Sequence, residues 1–272
     1  MRALTVMALV AVTAMMLPAA IRAQQSDDRS RCFAREGVSP EDKLQSCTAV
    51  IQSGGQTPQG LIAAYANRGN AHLNLRNYDH AIEDYNEEIR LDPKYAPGFN
   101  ARGLAYLRKG RLDPAIADFD AAIRLNPKYA SAFINRALAF QEKAQWDFNA
   151  YLTDGVYEDR AIQDLDEAIR LDPNNATAFR NRGFVNSRRQ RYDRAIQDFD
   201  EAIRLNSTVA AAFSGRAYAL RFVGQYERAI ADYRQALTLQ LDDTGRRQIE
   251  RVLKQLGAPT ERDATQTAVT KR

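Results

Sequence analysis

The chain has 272 residues, a length that one elongated domain or two compact ones can fill. Its 38 Lys and Arg stand against 34 Asp and Glu, a formal net charge of +4, and without Arg2 and Arg22 the balance is 36 against 34. That near balance gives no basic patch for nucleic acid. A hydrophobic share of 45% excludes wholesale disorder. Two Cys and two His are too few for a four-cysteine or three-cysteine zinc site, and they are wrongly spaced for a site of two cysteines and two histidines. No metal or cofactor is expected.

The first 23 residues read as an address. Arg2 precedes an apolar stretch from Ala3 to Leu17, small residues follow, and Ala23 before Gln24 fits a cleavage site, although Ile21 is not the favoured residue three before the cut. This is the layout of a secretory signal peptide. The stretch is too short to span a bilayer comfortably, and an uncleaved interfacial anchor is the alternative. No Cys follows the small residues, so a lipid-modified N-terminus is not supported. The mature chain is expected to begin at Gln24, in the periplasm or outside the cell.

Residues 24–61 are expected to form a helical hairpin. Ser39-Pro40-Glu41-Asp42 reads as an N-cap, a Pro in the first turn and an acid at the third position. Leu44, Cys47 and Ile51 then share a helical face. An oxidising compartment would let Cys32 and Cys47 pair, stapling the two arms with about 3 kcal/mol on the chain-entropy account. Buried free thiols are the alternative.

From residue 62 the chain repeats itself every 34 residues. Five copies run over 62–95, 96–129, 130–175, 176–209 and 210–243, the third with about 12 extra residues near Trp146, Phe148, Tyr151 and Tyr157. Each reads as two helices. An aromatic opens the first (Tyr65, Phe99, Phe133, Phe179, Phe213), and a small residue follows four later (Gly69, Gly103, Ala137, Gly183, Ala217). The second helix carries Ala81, Ala115, Ala161, Ala195 and Ala229, then Tyr85, Phe119, Leu165, Phe199 and Tyr233. Spacings of three and four place these on one apolar stripe, where small residues let helices approach and aromatics fill the gaps. Asp92-Pro93, Asn126-Pro127 and Asp172-Pro173 should end one pair and start the next. Glu88 stands where the other copies carry Ala; Gly98, in the helix that should pack beside it, is expected to make room. Arg68, Arg102, Arg136, Arg182 and Arg216 recur at one register and Asp84, Asp118, Asp164, Asp198 and Asp232 at another, as a structural ladder. Residues 244–257 keep helical spacing and read as a capping helix, needed because a stacked array ends in an apolar face. Residues 258–272 read as a disordered tail.

The aromatic, the Gly or Ala, the Ala, the aromatic, the Ala and the Pro over 34 residues resemble the tetratricopeptide repeat pattern. The resemblance covers 62–243. It implies an all-α, right-handed superhelical solenoid of antiparallel helix pairs with a C-terminal capping helix, and the hairpin at 24–61 looks like a degenerate extra repeat. It also implies a concave face lined by the first helix of each pair. Carried over copy by copy, the groove positions are Asn70 and Asn74, then Asn100, Leu104 and Arg108, then Ile134, Leu138 and Glu142, then Arg180, Phe184 and Arg188, then Tyr218, Arg221 and Phe222. Amides suit main-chain recognition, and Arg can fork onto a carboxylate. The Lys/Asn clamp by which some family members hold a terminal carboxylate is matched poorly: Ala66 stands where the clamp has Lys.

The sequence holds no HExxH, GxSxG, CxxC or phosphate-cradling loop. His72 reads as a packing residue and His80 as solvated. The expected role is a non-enzymatic adaptor or scaffold of the cell envelope that binds a protein or peptide, without nucleic acid and without a membrane span. A regulatory or substrate-recruiting subunit of an envelope enzyme, self-association into a homo-oligomer, and polysaccharide binding near Trp146 stand as alternatives. The insertion is expected either to project as a binding loop or to lengthen its helix pair.

Overall fold

The computed structural model describes residues 19–146 and 155–258. Among them the regular structure is thirteen helices and no strand. The chain forms two compact units, residues 1–127 and 128–272. Unit one holds three hairpins: α1 (Ala19–Cys32) with α2 (Pro40–Gln52), α3 (Pro58–Asn74) with α4 (Tyr78–Leu91), and α5 (Ala96–Arg108) with α6 (Leu112–Leu125). Unit two holds α7 (Ala130–Trp146) with α8 (Val156–Leu171), α9 (Ala176–Arg188) with α10 (Tyr192–Leu205), α11 (Ala210–Phe222) with α12 (Tyr226–Thr238), and a closing helix α13 (Asp243–Gln255). Within each unit a helix packs on its hairpin partner, and the second helix of one hairpin packs on the first of the next.

Local chemistry sets the boundaries. Ser39 caps α2, its Oγ accepting from the Asp42 amide at 3.1 Å, with Pro40 at the first position. Asp92, Asn126 and Asp172 terminate α4, α6 and α8. The prolines after them do not open the next helix as expected. Helix α5 starts at Ala96 and α9 at Ala176, so Pro93 and Pro173 lie in the connecting turns. The acid makes the turn: Asp92 Oδ1 accepts from the Lys94 amide at 3.0 Å and Asp172 Oδ1 from the Asn174 amide at 3.2 Å. Asn206 does the same for Thr208 at 3.0 Å, which is why Ser207 can replace the Pro there.

The small residue of each first helix seats the ring of the second. A Cβ on Gly69 would lie 2.7 Å from Tyr85 Cε1, and one on Gly103 2.7 Å from Phe119 Cε1. The third copy keeps the volume with Ala137 opposite Leu165, both fully buried. One Arg per copy then ties its helix pair together and, within each unit, reaches the hairpin before. Arg102 forks onto Asp118 (Nε–Oδ2 2.8 Å, Nη2–Oδ1 2.6 Å) in its own hairpin, and its Nη1 donates to Asn86 Oδ1 at 2.7 Å in the hairpin before. Arg182 bridges Asp198 and Asp166, Arg216 bridges Asp232 and Asp200, and Arg68 bridges Asp84 and Thr48. Arg136 forks onto Asp164. The guanidinium carbons sit 5.5 to 5.7 Å from the rings of Tyr65, Phe99, Phe133, Phe179 and Phe213. The hydrogen bond to the Asp raises the pKa of Arg68, Arg102 and Arg216 above the ordinary value.

Helices α1 and α2 pack on each other as a hairpin, and α1 runs across the Ala23–Gln24 boundary. Cys32 and Cys47 are both buried, with their sulfurs at disulfide distance, 2.11 Å. Residues 147–154 of the insertion, with Phe148 and Tyr151, lie outside the described residues, as does the tail from 259. The arms beside the insertion are longer than in other copies: α7 has 17 residues and α8 has 16. Tyr157 stacks on Phe140 at 6.3 Å with Lys143 Nζ 5.4 Å from its ring centroid. Ala258, expected in the tail, instead belongs to the cap: it is buried, and its amide donates to Leu253 O at 2.9 Å. Helix α13 begins one residue earlier than expected because Asp242 Oδ1 accepts from the Gly245 amide.

Glu88 is the departure in unit one. Its side chain is buried, Oε2 has no partner, and burial pushes its carboxyl up to about 7. Gly98 lies against it as expected: a Cβ there would meet Glu88 Cδ at 3.3 Å. The folded chain therefore holds this proton more tightly than the unfolded one, whose ordinary value is 4.5. Stability at this residue is greatest below that value and is lost as pH rises through about 7. Glu88→Gln should be more stable than the parent at pH 8 by roughly 3 kcal/mol, the full span of the shift. Urea denaturation should show the advantage shrinking toward pH 5; the same gap at both pH values would contradict the assignment.

Candidate functional site

Unit two holds an open-sided cavity of about 770 Å³. Three first helices build it. Leu138, Gln141 and Gln145 come from α7; Arg180, Phe184, Ser187 and Arg188 from α9; Ser214, Gly215, Tyr218 and Arg221 from α11. Separations of three, four and seven put Leu138, Gln141 and Gln145, then Arg180, Phe184 and Ser187, then Ser214, Tyr218 and Arg221 each on one helical face. Helix α13 and the residues before it close one side with Leu241, Gly245, Gln248, Ile249 and Val252. That helix also caps the array, since Ile249 and Leu253 are buried against Tyr233 and Ala236.

The wall is apolar with a few polar groups at fixed points. Phe184 packs edge-on against Phe199 at 5.0 Å. Gly215 leaves the space that ring needs, since a Cβ there would lie 2.5 Å from Phe199 Cζ. Tyr218 is 43% exposed and lies 4.9 Å from Phe222, which stacks flat on Tyr192 at 4.6 Å. Arg188 is already engaged: Nη1 donates to Gln141 O at 3.1 Å and Nη2 to Glu158 Oε1 at 3.0 Å. Arg180 contacts Asn181 Oδ1 at 3.4 Å, and burial lowers its pKa below the ordinary value. Arg221 is within hydrogen-bonding reach of the Tyr233 hydroxyl, whose pKa is raised, chiefly by burial. Among the described residues the wall carries three Arg and no Asp or Glu.

Of the residues expected at the groove, Leu138, Arg180, Phe184, Arg188, Tyr218 and Arg221 come together here. Ile134 does not, because it is buried in the packing of α7. Glu142 is not among the residues that line it, and Phe222 stands beside the cavity with 54% of its surface exposed. Asn70 and Asn74 on α3, and Asn100, Leu104 and Arg108 on α5, belong to unit one. Asn70 is committed there, its Oδ1 accepting from the Tyr85 hydroxyl at 2.8 Å. His72 is a packing residue as expected, its pKa lowered by burial, but its ring stacks on His80 at 5.1 Å, so His80 is not simply solvated.

The reading of single residues missed Gln141 and Ser187, although the register held a signal. At the twelfth place of each copy stand Leu73, Leu107, Gln141, Ser187 and Arg221. The position is apolar in unit one and polar in unit two. Gln141 Nε2 and Ser187 Oγ are buried in the wall without a hydrogen-bond partner. Among the described residues no helix is long and apolar enough to cross a membrane, and no cluster of three or more His, Cys, Asp or Glu could hold a metal ion.

Comparison with known proteins places the architecture. Family profiles described as tetratricopeptide repeat match residues 62–95 and 210–243, and one described as TPR repeat matches 104–143 and 149–189. Together they span more than half of the chain. No curated protein matches it. Among solved structures, the thermophilic TPR protein TTC0263 of Thermus thermophilus is 21% identical, with a TM-score of 0.61 over 71% of this chain and 98% of its own. The pilF protein of Pseudomonas aeruginosa is 19% identical, with a TM-score of 0.64 over 78% of this chain and 90% of its own. YrrB, described as a TPR protein with an unusual peptide-binding site, is 18% identical, with a TM-score of 0.50 over 74% of this chain and 96% of its own. At such identities these likenesses establish the fold alone. With the 34-residue register, the seated rings and the family matches in agreement, the chain belongs to the tetratricopeptide repeat family.

Proposed function

We propose that this protein is a non-enzymatic adaptor or scaffold of the cell envelope that holds a protein or peptide partner in the cavity of unit two. One observation carries the reading: the first helices of three successive repeats and the closing helix converge on a 770 Å³ cavity whose wall is apolar and aromatic with a few polar groups. Tetratricopeptide repeats serve as protein-interaction scaffolds, which fits such a wall. The solvent-exposed Tyr218 and Phe222 at its margin are the residue types that anchor partners.

Export rests on the N-terminal segment, with Arg2, the apolar stretch and Ala23 before Gln24. Two buried cysteines at disulfide distance fit an oxidising compartment. Intact-mass measurement on protein recovered from the envelope fraction tests both. A chain starting at Gln24 and lighter by two hydrogens than its reduced form is expected; an uncut N-terminus with two free thiols would overturn the export reading.

Pull-down from an envelope extract tests the docking site. Tyr218→Ala should weaken capture of the partner by roughly 2 kcal/mol, about thirtyfold. Asn70→Ala, in unit one, should leave it unchanged. The reverse pattern would move the docking site to unit one, and turnover of a substrate by the purified chain alone would overturn the adaptor reading.

A further inference from the structure

The wall of the cavity has two features that bear on a ligand. The first is a buried polar row. Gln141 is 9% exposed and Ser187 6%, and Gln141 Nε2 and Ser187 Oγ have no hydrogen-bond partner. The same register in unit one is Leu73 and Leu107, and Leu107 is buried in an ordinary apolar contact. A buried polar group without a partner destabilises the fold, so the substitution of polar residues at this register in unit two works against stability. The second feature is uncompensated charge. Arg68, Arg102, Arg136, Arg182 and Arg216 each fork onto a carboxylate, and Arg188 pairs with Glu158. Arg180 and Arg221 instead face an amide oxygen and a phenol, and the wall offers them no acid.

Both features ask for the same thing. An amide nitrogen and two guanidinium groups donate hydrogen bonds, and a hydroxyl can donate as well. What satisfies them is a set of acceptors, at least one carrying negative charge. Beside them lie Phe184, Tyr218, Ile249 and Val252, which need apolar surface. A bare inorganic anion would leave that surface uncovered, whereas a peptide supplies main-chain carbonyls, side-chain carboxylates and apolar side chains on one strand. We propose that the cavity of unit two takes an extended acidic peptide segment, a carboxylate seated on Arg180 and Arg221, main-chain carbonyls on Gln141 and Ser187, and an apolar side chain against Phe184 and Tyr218. This deepens the docking reading above and rests on it.

The test uses the full mature chain and fluorescence anisotropy with three labelled, C-terminally amidated octapeptides. In them leucine alternates with glutamate, with glutamine or with lysine. The glutamate peptide should bind about tenfold more tightly than the glutamine peptide, the worth of one charge-assisted hydrogen bond, with the advantage falling as salt is added. Arg180→Gln should erase the difference; Arg221→Gln is the second variant should the first fail to fold. Gln141→Leu with Ser187→Ala should weaken binding of the glutamate peptide while the melting temperature stays level or rises, because an unpartnered polar group is removed. A lowered melting temperature would make the row structural and overturn its role here. Equal binding of the glutamate and glutamine peptides would remove the carboxylate preference and leave peptide docking standing. Preference for the lysine peptide, or no binding of any at millimolar concentration, would overturn the proposal, while the pull-down above decides the docking reading separately.

Discussion

The structure depends on one guanidinium per repeat. Each of these arginines lies under an aromatic ring three residues before it and forks onto a buried Asp in its own hairpin, and Arg68, Arg102, Arg182 and Arg216 also reach an oxygen of the preceding hairpin. The planar fork fits both tasks, which a lysine could not meet. A buried ion pair is weak evidence of net stability, because an apolar pair of similar volume can do as well. What it supplies here is position: the first helix is fixed to the helices on both sides of it at one register. The wall register is then free to vary. Asn70, Leu104, Leu138, Phe184 and Tyr218 share that register and change along the array, while the Arg and its Asp do not. Scaffold and wall are separate sets of positions on the same helix.

Much of this was legible because the repeated positions are local. The 34-residue period placed the helices, the aromatic and small residues, the Arg–Asp ladder and the closing helix. Other features were not legible because they depend on backbone geometry or on packing from outside the repeat. The turns between α3 and α4, α5 and α6, α9 and α10, and α11 and α12 each use a left-handed residue; Gly110 and Gly224 announce it, but Arg76 (φ 60°) and Gln190 (φ 56°) take the same conformation without any signal. The Asp-Pro pairs end helices as expected, yet the turn belongs to the acid, so Ser207 changes nothing. The cavity could not be drawn from the first helices alone, because Ile249 and Val252 of the closing helix complete it. Their sequence spoke only of an apolar stripe that must be covered.

Glu88 and the pair Gln141 and Ser187 break the pattern of buried apolar residues in ways that differ in kind. Glu88 is met from inside: Gly98 on the neighbouring helix removes the side chain that would crowd it, and its carboxyl is held toward the neutral form by burial. Gln141 Nε2 and Ser187 Oγ have no such answer among the described residues, and both residues line the cavity. Natural sequences break their own local rules chiefly where function requires it. The difference between a defect absorbed by the core and one left open to the cavity separates a tolerated residue from a candidate for recognition.

The claim that serial Arg–Asp forks position the wall is tested most directly by urea denaturation of Asp198→Asn beside Asp200→Asn. Asp198 is buried and takes the fork of Arg182, whereas Asp200 is exposed and accepts the third donor of Arg216. Loss of the buried partner should lower stability by roughly 3 kcal/mol, and loss of the exposed one by less than about 1 kcal/mol. Equal and small losses at the two positions would show that the apolar stripe alone holds the helices in place.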